Sequence, residues 1–313
     1  MGCVRAKIET GISLNPEYRP LLHRYAVLLA ICTLFLVVAG ASVTSKEAGL
    51  SVPDWPLSYG QVLPEMTGGV LFETGHRLVA TTVGFMTIIL AVWIQRVDPR
   101  AWMRKLGWVA LGGVVVQGLL GGMTVLWLQP PAVSTAHACL AQLFFSTTAA
   151  IALFTSRRWL NGAESVEDYG KPSLRSLAIA GPIMVLCQIA LGAAFRHRAI
   201  SLIPHLAGSI LVALSLLTIG MFVLTQFPKH DVLRKAAHGM LGMTTLQVFL
   251  GLGAYWARLD AANSPLQMVL VTVTHVAGGG LTLAFTILLS IQIRRYVRVR
   301  ATEPSQSRAA VTS

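Results

Sequence analysis

The chain has 313 residues, 54% of them hydrophobic and 12% charged, with a mean hydropathy of +0.64, a balance that excludes a water-soluble domain. Its net charge of +12 comes from basic residues gathered between long apolar stretches. That pattern signals membrane topology and attraction to anionic headgroups, and it argues against a nucleic-acid partner.

Taken in order, the first 24 residues mix Arg5, Lys7, Arg19 and Arg24 with Glu9 and Glu17 ahead of a long apolar stretch. This suits an uncleaved cytoplasmic start better than a signal or transit peptide. Ala6 stands where a myristoylation pattern needs Ser or Thr. A membrane span needs roughly 20 apolar residues, and eight stretches qualify: 25–44, 73–95, 106–128, 134–155, 174–195, 204–227, 236–256 and 267–293. The expected fold is therefore an all-α integral membrane protein with eight transmembrane helices. With both termini cytoplasmic, the cytoplasmic segments hold 20 of the 25 basic residues, and Lys46, Arg77, Arg196, Arg198 and Arg258 fall toward the outside. Basic residues in short loops are retained on the cytoplasmic side, so this orientation is the one predicted.

The first outer loop, about 45–72, is much longer than the others and contains Gly49-Leu50-Ser51-Val52-Pro53-Asp54-Trp55-Pro56-Leu57-Ser58-Tyr59-Gly60. Loops of this length are usually functional or disordered. The aromatic and proline content argues for an ordered lid on the headgroup region; Trp55 and Tyr59 as simple interface anchors are the plainer reading.

The second predicted helix opens with Glu73-Thr74-Gly75-His76-Arg77. His76 and three further histidines, His137, His205 and His275, each lie in the first turns of an even-numbered helix, and so share a layer toward the outer face. One such histidine is as readily a core imidazole bonded to a neighbouring helix. Four at matching positions point to haem iron held between paired imidazoles from facing helices. Zinc is a poor alternative, because no third or fourth Cys, Asp or Glu recurs beside each pair. His23, His197, His230 and His238 lie in loops or at helix ends, where solvated roles are the default.

The chain also repeats. Leu111-Gly112, Gln117 and Leu120-Gly121 match Leu241-Gly242, Gln247 and Leu250-Gly251 at an offset of 130 residues, and Gln-x-x-Leu-Gly recurs at Gln188–Gly192. Residues 1–160 and 161–313 then read as two parallel four-helix bundles. The Gln-x-x-Leu-Gly string reads first as close helix packing at a small residue, with its amide bonded across the interface. Only the first half carries the acid and the base: Leu202-Ile203-Pro204-His205-Leu206 stands where the other has Glu73 to Arg77. Glu73, one turn outward of His76, fits either a proton acceptor or a helix N-terminal acid favoured by the macrodipole. Arg77 fits either a haem propionate or snorkelling to the interface. Cys32, Cys139 and Cys187 fall inside helices and Cys3 outside them, and there is no C-x-x-C-H, so neither a disulfide framework nor covalent haem is implied.

The Gly-Leu-Ser-x-Pro-Asp-Trp-Pro loop, the Glu-x-x-His-Arg start of the second helix, and His137, His205 and His275 together closely resemble the haem A synthase family, over nearly all eight spans. The resemblance implies oxidation of a ring methyl group of haem O to the formyl group of haem A, the prosthetic group of terminal oxidases. It implies that His76 and His137 hold the substrate haem O, with Arg77 beside it, that His205 and His275 hold a resident haem b as axial ligands, and that Glu73 is the catalytic acid. It further implies a bacterial cytoplasmic membrane with the haem sites toward the outer face, and haem O synthase as a candidate partner. The electron donor and any homo-oligomer are left open. Many members place two cysteines where this chain has Val52 and Ser58, so a thiol step at that pair is not available here. A two-haem electron-transfer cytochrome is the alternative reading. A repeat transporter fits less well, because its broken spans are not evident.

Overall fold

The computed structural model describes residues 16–168 and 172–299. Cys3, Arg5, Lys7, Glu9, Lys171, Arg300 and Arg308 lie outside the described residues. Eight long helices follow one another: α1 Pro20–Ser45, α2 Gly68–Val97, α3 Ala101–Leu126, α4 Pro131–Thr155, then α6 Leu174–Arg196, α7 Ile203–Gln226, α8 Asp231–Leu259 and α9 Pro265–Tyr296. A short helix, α5 Arg157–Asn161, and two three-residue strands, β1 Val166–Asp168 and β2 Val297–Val299, complete the order. Proline opens α1, α4, α7 and α9 at the first positions, where its missing N–H has no intrahelical partner to lose.

Seven of the long helices are long and apolar enough to cross a membrane, and the chain is an all-α integral membrane protein. The exception is α8, which has His238, Thr244, Thr245 and Gln247 along its length. Its outward face is nonetheless apolar, with Leu246, Val248, Phe249, Leu252 and Trp256 exposed. Exposed Phe35, Phe85, Val109 and Ile210 continue that apolar surface around the other helices, as expected where acyl chains rather than water are the solvent.

The helices α1 to α4 pack side by side, with α1 closing back on α4; α6 to α9 do the same, with α6 closing on α9. The two groups meet where α1 and α4 touch α9, and α4 touches α6. Each group has its own core, around Leu29, Leu90, Ile94, Met103 and Ile151 in one and Leu174, Leu216, Leu233, Met240 and Leu289 in the other. Between lipid-solvated helices the driving force is close packing rather than release of water, and small residues allow it. A Cβ on Gly107 would sit 3.4 Å from the Ala91 backbone, and one on Gly220 would collide with Leu241 at 2.6 Å. Several hydroxyls inside the bundle are satisfied within their own helices: Thr33, Thr87, Thr244 and Thr282 donate to carbonyls four residues back.

The two strands pair in parallel, Val166 with Val297 and Glu167 with Arg298; three-residue segments leave no periodicity to find in sequence. At the same end of the bundle a buried ion pair of Arg100 with Asp98, 2.7 Å, also reaches the Phe154 carbonyl at 3.1 Å and ties the α2–α3 turn to α4. The third predicted span runs two residues too far: α3 ends at Leu126, and Leu128 and Gln129 take positive φ values of 58° and 59°, which stops a right-handed helix.

Candidate functional site

The four histidines are built alike. His76, His137, His205 and His275 sit on α2, α4, α7 and α9, and each ring brings its Cε1 atom close to a glycine of the preceding long helix. A Cβ on Gly40, Gly121, Gly192 or Gly251 would come within 3.0, 3.3, 2.7 and 3.1 Å of the Cε1 atom of His76, His137, His205 and His275 respectively. Any larger side chain would have to push the imidazole away, so glycine is required here by close approach.

Three of these pairs carry a second contact. Gln117, Gln188 and Gln247 stand four residues before Gly121, Gly192 and Gly251, one turn along the same face. Their Nε2 atoms donate to the main-chain carbonyls of His137, His205 and His275 at 3.0, 2.8 and 3.1 Å. The same amides lie against a ring nitrogen of each histidine at 3.4, 3.0 and 3.2 Å. The Gln-x-x-Leu-Gly string is therefore close packing with an amide bonded across the interface, and what it packs on is a candidate ligand. Sequence reasoning noted the string without assigning it to the histidines; the signal was its recurrence on three helices that each precede one of them.

The donor set fits haem. The His205 and His275 ring centres are 6.3 Å apart and the rings are nearly perpendicular, at 85°. Two imidazoles on opposite sides of one metal, at bonds of about 2 Å, place their ring centres about 6 Å apart. In the other pair, the Nδ1 atoms of His76 and His137 are buried without a hydrogen-bond partner, a cost a ligated metal removes. Among the described residues no group of three or more His, Cys, Asp or Glu is placed to hold a metal ion. His23, His230 and His238 bond instead to the Thr155 hydroxyl, to the Glu164 carbonyl and α8 N-terminus, and to the Arg234 carbonyl.

Glu73 is buried and Arg77 partly so, and they make an ion pair of 2.6 Å one turn apart. Because α2 starts five residues before the expected boundary, Glu73 lies in its second turn and is not a first-turn acid. Arg77 does not snorkel. Its guanidinium donates to the carbonyls of Asp54, Leu57 and Val52 at 2.8, 2.6 and 3.4 Å and to Ser58 Oγ at 3.4 Å. The other Glu73 oxygen accepts the Val52 N–H at 2.9 Å. The ion pair thus straps the long loop, 46–67, onto α2.

That loop is ordered by local chemistry as well. Asp54 accepts the backbone N–H groups of Tyr59 and Gly60 at 2.7 and 2.8 Å, which hold its carboxyl below the usual carboxylate range. Tyr59 and Gly60 have φ of 53° and 70°, a reversal in which the glycine is free of strain. Tyr59 Oη donates to the Ser51 carbonyl at 2.6 Å. The Trp55 ring lies on Gly122 of α3, where a Cβ would approach it to 2.7 Å. Val52 and Ser58, the positions of the absent cysteine pair, are buried, and Thr74 Oγ1 donates to Ser58 Oγ at 3.0 Å. Hydrogen bonds and an ion pair hold this loop without a disulfide.

The sequence model of a family described as "Cytochrome oxidase assembly protein" matches residues 23–70 and 65–205, which include the long loop, Glu73, His76, Arg77, His137 and His205. The chain belongs to that family. Three curated relatives named heme A synthase are similar to it. The one from Geobacillus kaustophilus is 32% identical over 137 residues, 43% of this chain and 42% of that protein. The one from Symbiobacterium thermophilum is 34% identical over 115 residues, 36% and 38% of the two chains. The one from Lysinibacillus sphaericus is 30% identical over 193 residues, 60% and 62%. In each case the similarity spans less than two thirds of the relative's length.

Proposed function

We propose that this family member is a haem A synthase, oxidising a ring methyl group of haem O to the formyl group of haem A for terminal oxidases. One observation carries the reading: four imidazoles, each seated on a glycine, with His205 and His275 spaced 6.3 Å apart. The reading rests on eight spans, α8 being the eighth, arranged as two related four-helix halves, 1–160 and 161–313. Both termini face the cytoplasm, and the histidine ends of the helices face the outer side of a bacterial cytoplasmic membrane. The clustering of basic residues at the opposite ends supports that orientation.

In this assignment His76 and His137 hold haem O, and His205 and His275 hold haem b as axial ligands. When bound, haem b supplies one-electron redox chemistry. Glu73 takes up the proton released as the methyl group is oxidised. Its carboxylate is shared between Arg77 and the Val52 amide, so proton uptake competes with its hold on the loop. Arg77 positions that carboxylate and fixes the loop over the first site, excluding water from it. Gly40 and Gly121 let the first pair of imidazoles approach α1 and α3 closely. Haem O synthase is the partner that makes the substrate, and a redox partner outside the chain exchanges the electrons of the oxidation.

The test is extraction of pigment from the purified protein, with Glu73→Gln alongside. Haem O or haem A together with haem b is expected, with haem A absent from the Glu73→Gln protein while both haems remain bound. Haem b alone in both halves would instead make the chain an electron-transfer cytochrome.

A further inference from the structure

The four histidine seats are not equivalent. Gln117, Gln188 and Gln247 each reach across to the carbonyl of His137, His205 or His275 and lie against its ring. On α1 the residue four before the seat glycine Gly40 is Leu36, which packs with the apolar core of the first helix group. Leucine has neither donor nor acceptor, and no hydrogen bond reaches either nitrogen of the His76 ring among the described residues. An amide that bonds the histidine's carbonyl and lies against its ring limits the ring's rotation about its side-chain bonds, and the His76 ring has no such amide beside it.

We propose that Gln117, Gln188 and Gln247 are positioning residues that lock three of the four imidazoles, and that His76 is the one imidazole able to swing aside. The proposal rests on the haem assignment above. Its consequence is directional: the second site is locked on both sides, and the first is locked on the α4 side only. An incoming small ligand then enters the first site on the α2 side, the side strapped by Glu73, Arg77 and the long loop. The asymmetry is written in one residue type, so one substitution on α1 should erase it.

The measurement is carbon monoxide binding to the dithionite-reduced, pigment-loaded protein, followed by its optical difference spectrum. In the unaltered protein, only the first-site haem should bind carbon monoxide. Leu36→Gln installs the missing amide and should slow or weaken that binding about tenfold, the worth of one hydrogen bond. Leu36→Met, similar in volume and without the amide, should leave it unchanged, separating the tether from repacking. Gln188→Leu and Gln247→Leu should each make the second-site haem, identified by pigment extraction as haem b, reactive to carbon monoxide. Binding that is indifferent to Leu36→Gln, or a second site that stays closed in both glutamine variants, would overturn the proposal while the haem assignment stands. A purified protein without a haem spectrum would overturn both.

Discussion

Replacing Arg77 by alanine should release the long loop while leaving the helix bundle folded. The guanidinium is the partner of the buried Glu73 carboxylate at 2.6 Å and the donor to three main-chain carbonyls of the loop. Removing one member of a buried ion pair strands the other charge and costs about 3–5 kcal/mol. Because the loop is fastened chiefly here, that cost falls on its local opening and not on the bundle. At 1.36 kcal/mol per factor of ten, opening should become about 10²- to 10⁴-fold more frequent. Hydrogen exchange of the peptide 51–61 reads this directly, since the Val52, Tyr59 and Gly60 amides are all bonded to carboxylates in the closed loop. The double variant Glu73→Gln/Arg77→Met removes both charges and should open the loop less than the two single effects combined. Exchange in Arg77→Ala at the unaltered rate would show that the ion pair does not hold the loop.

Two further outcomes follow from the site. Gly192→Ala places a Cβ 2.7 Å from His205 and should lower the retention of the second-site haem, read from the pigment ratio after purification. Gly242→Ala, on α8 with nothing within 4 Å of its Cβ, is the matched control and should retain it fully; equal loss in both would remove the seat from the account. Asp54, its carboxyl held below the usual range by the Gly60 and Tyr59 amides, stabilises the closed loop in its ionised form. That contribution is complete above the ordinary carboxylate pKa of about 4 and is lost as pH falls through the depressed value. The difference in loop protease resistance between the unaltered protein and Asp54→Asn should therefore be constant from pH 7 to about 5 and shrink only in stronger acid, whereas a difference that disappears near pH 6 would remove Asp54 from the account.

Much of the molecule was legible in its sequence because the information is local. Runs of about 20 apolar residues define where helices must satisfy their own backbone in lipid, and α4, α6 and α7 begin and end within three residues of their expected limits. The four histidines stood out because ionisable groups are costly in such segments. The partners of Glu73 and Arg77 in the loop stand about 20 residues away in sequence, which no spacing rule on α2 reveals. The Gln-x-x-Leu-Gly string was visible three times, yet its meaning depended on which neighbour it faces.

The sequence alone determined a lipid-embedded helical protein and its candidate ligands, since hydropathy and helical period act within a single segment. Tertiary structure alone decided that His205 faces His275 at 6.3 Å, that each imidazole rests on a glycine, and that Leu36 leaves His76 without the amide its counterparts possess. Those facts are contacts between helices. They follow from how closely small residues let two backbones approach, a property of the packed pair that neither strand of sequence contains by itself.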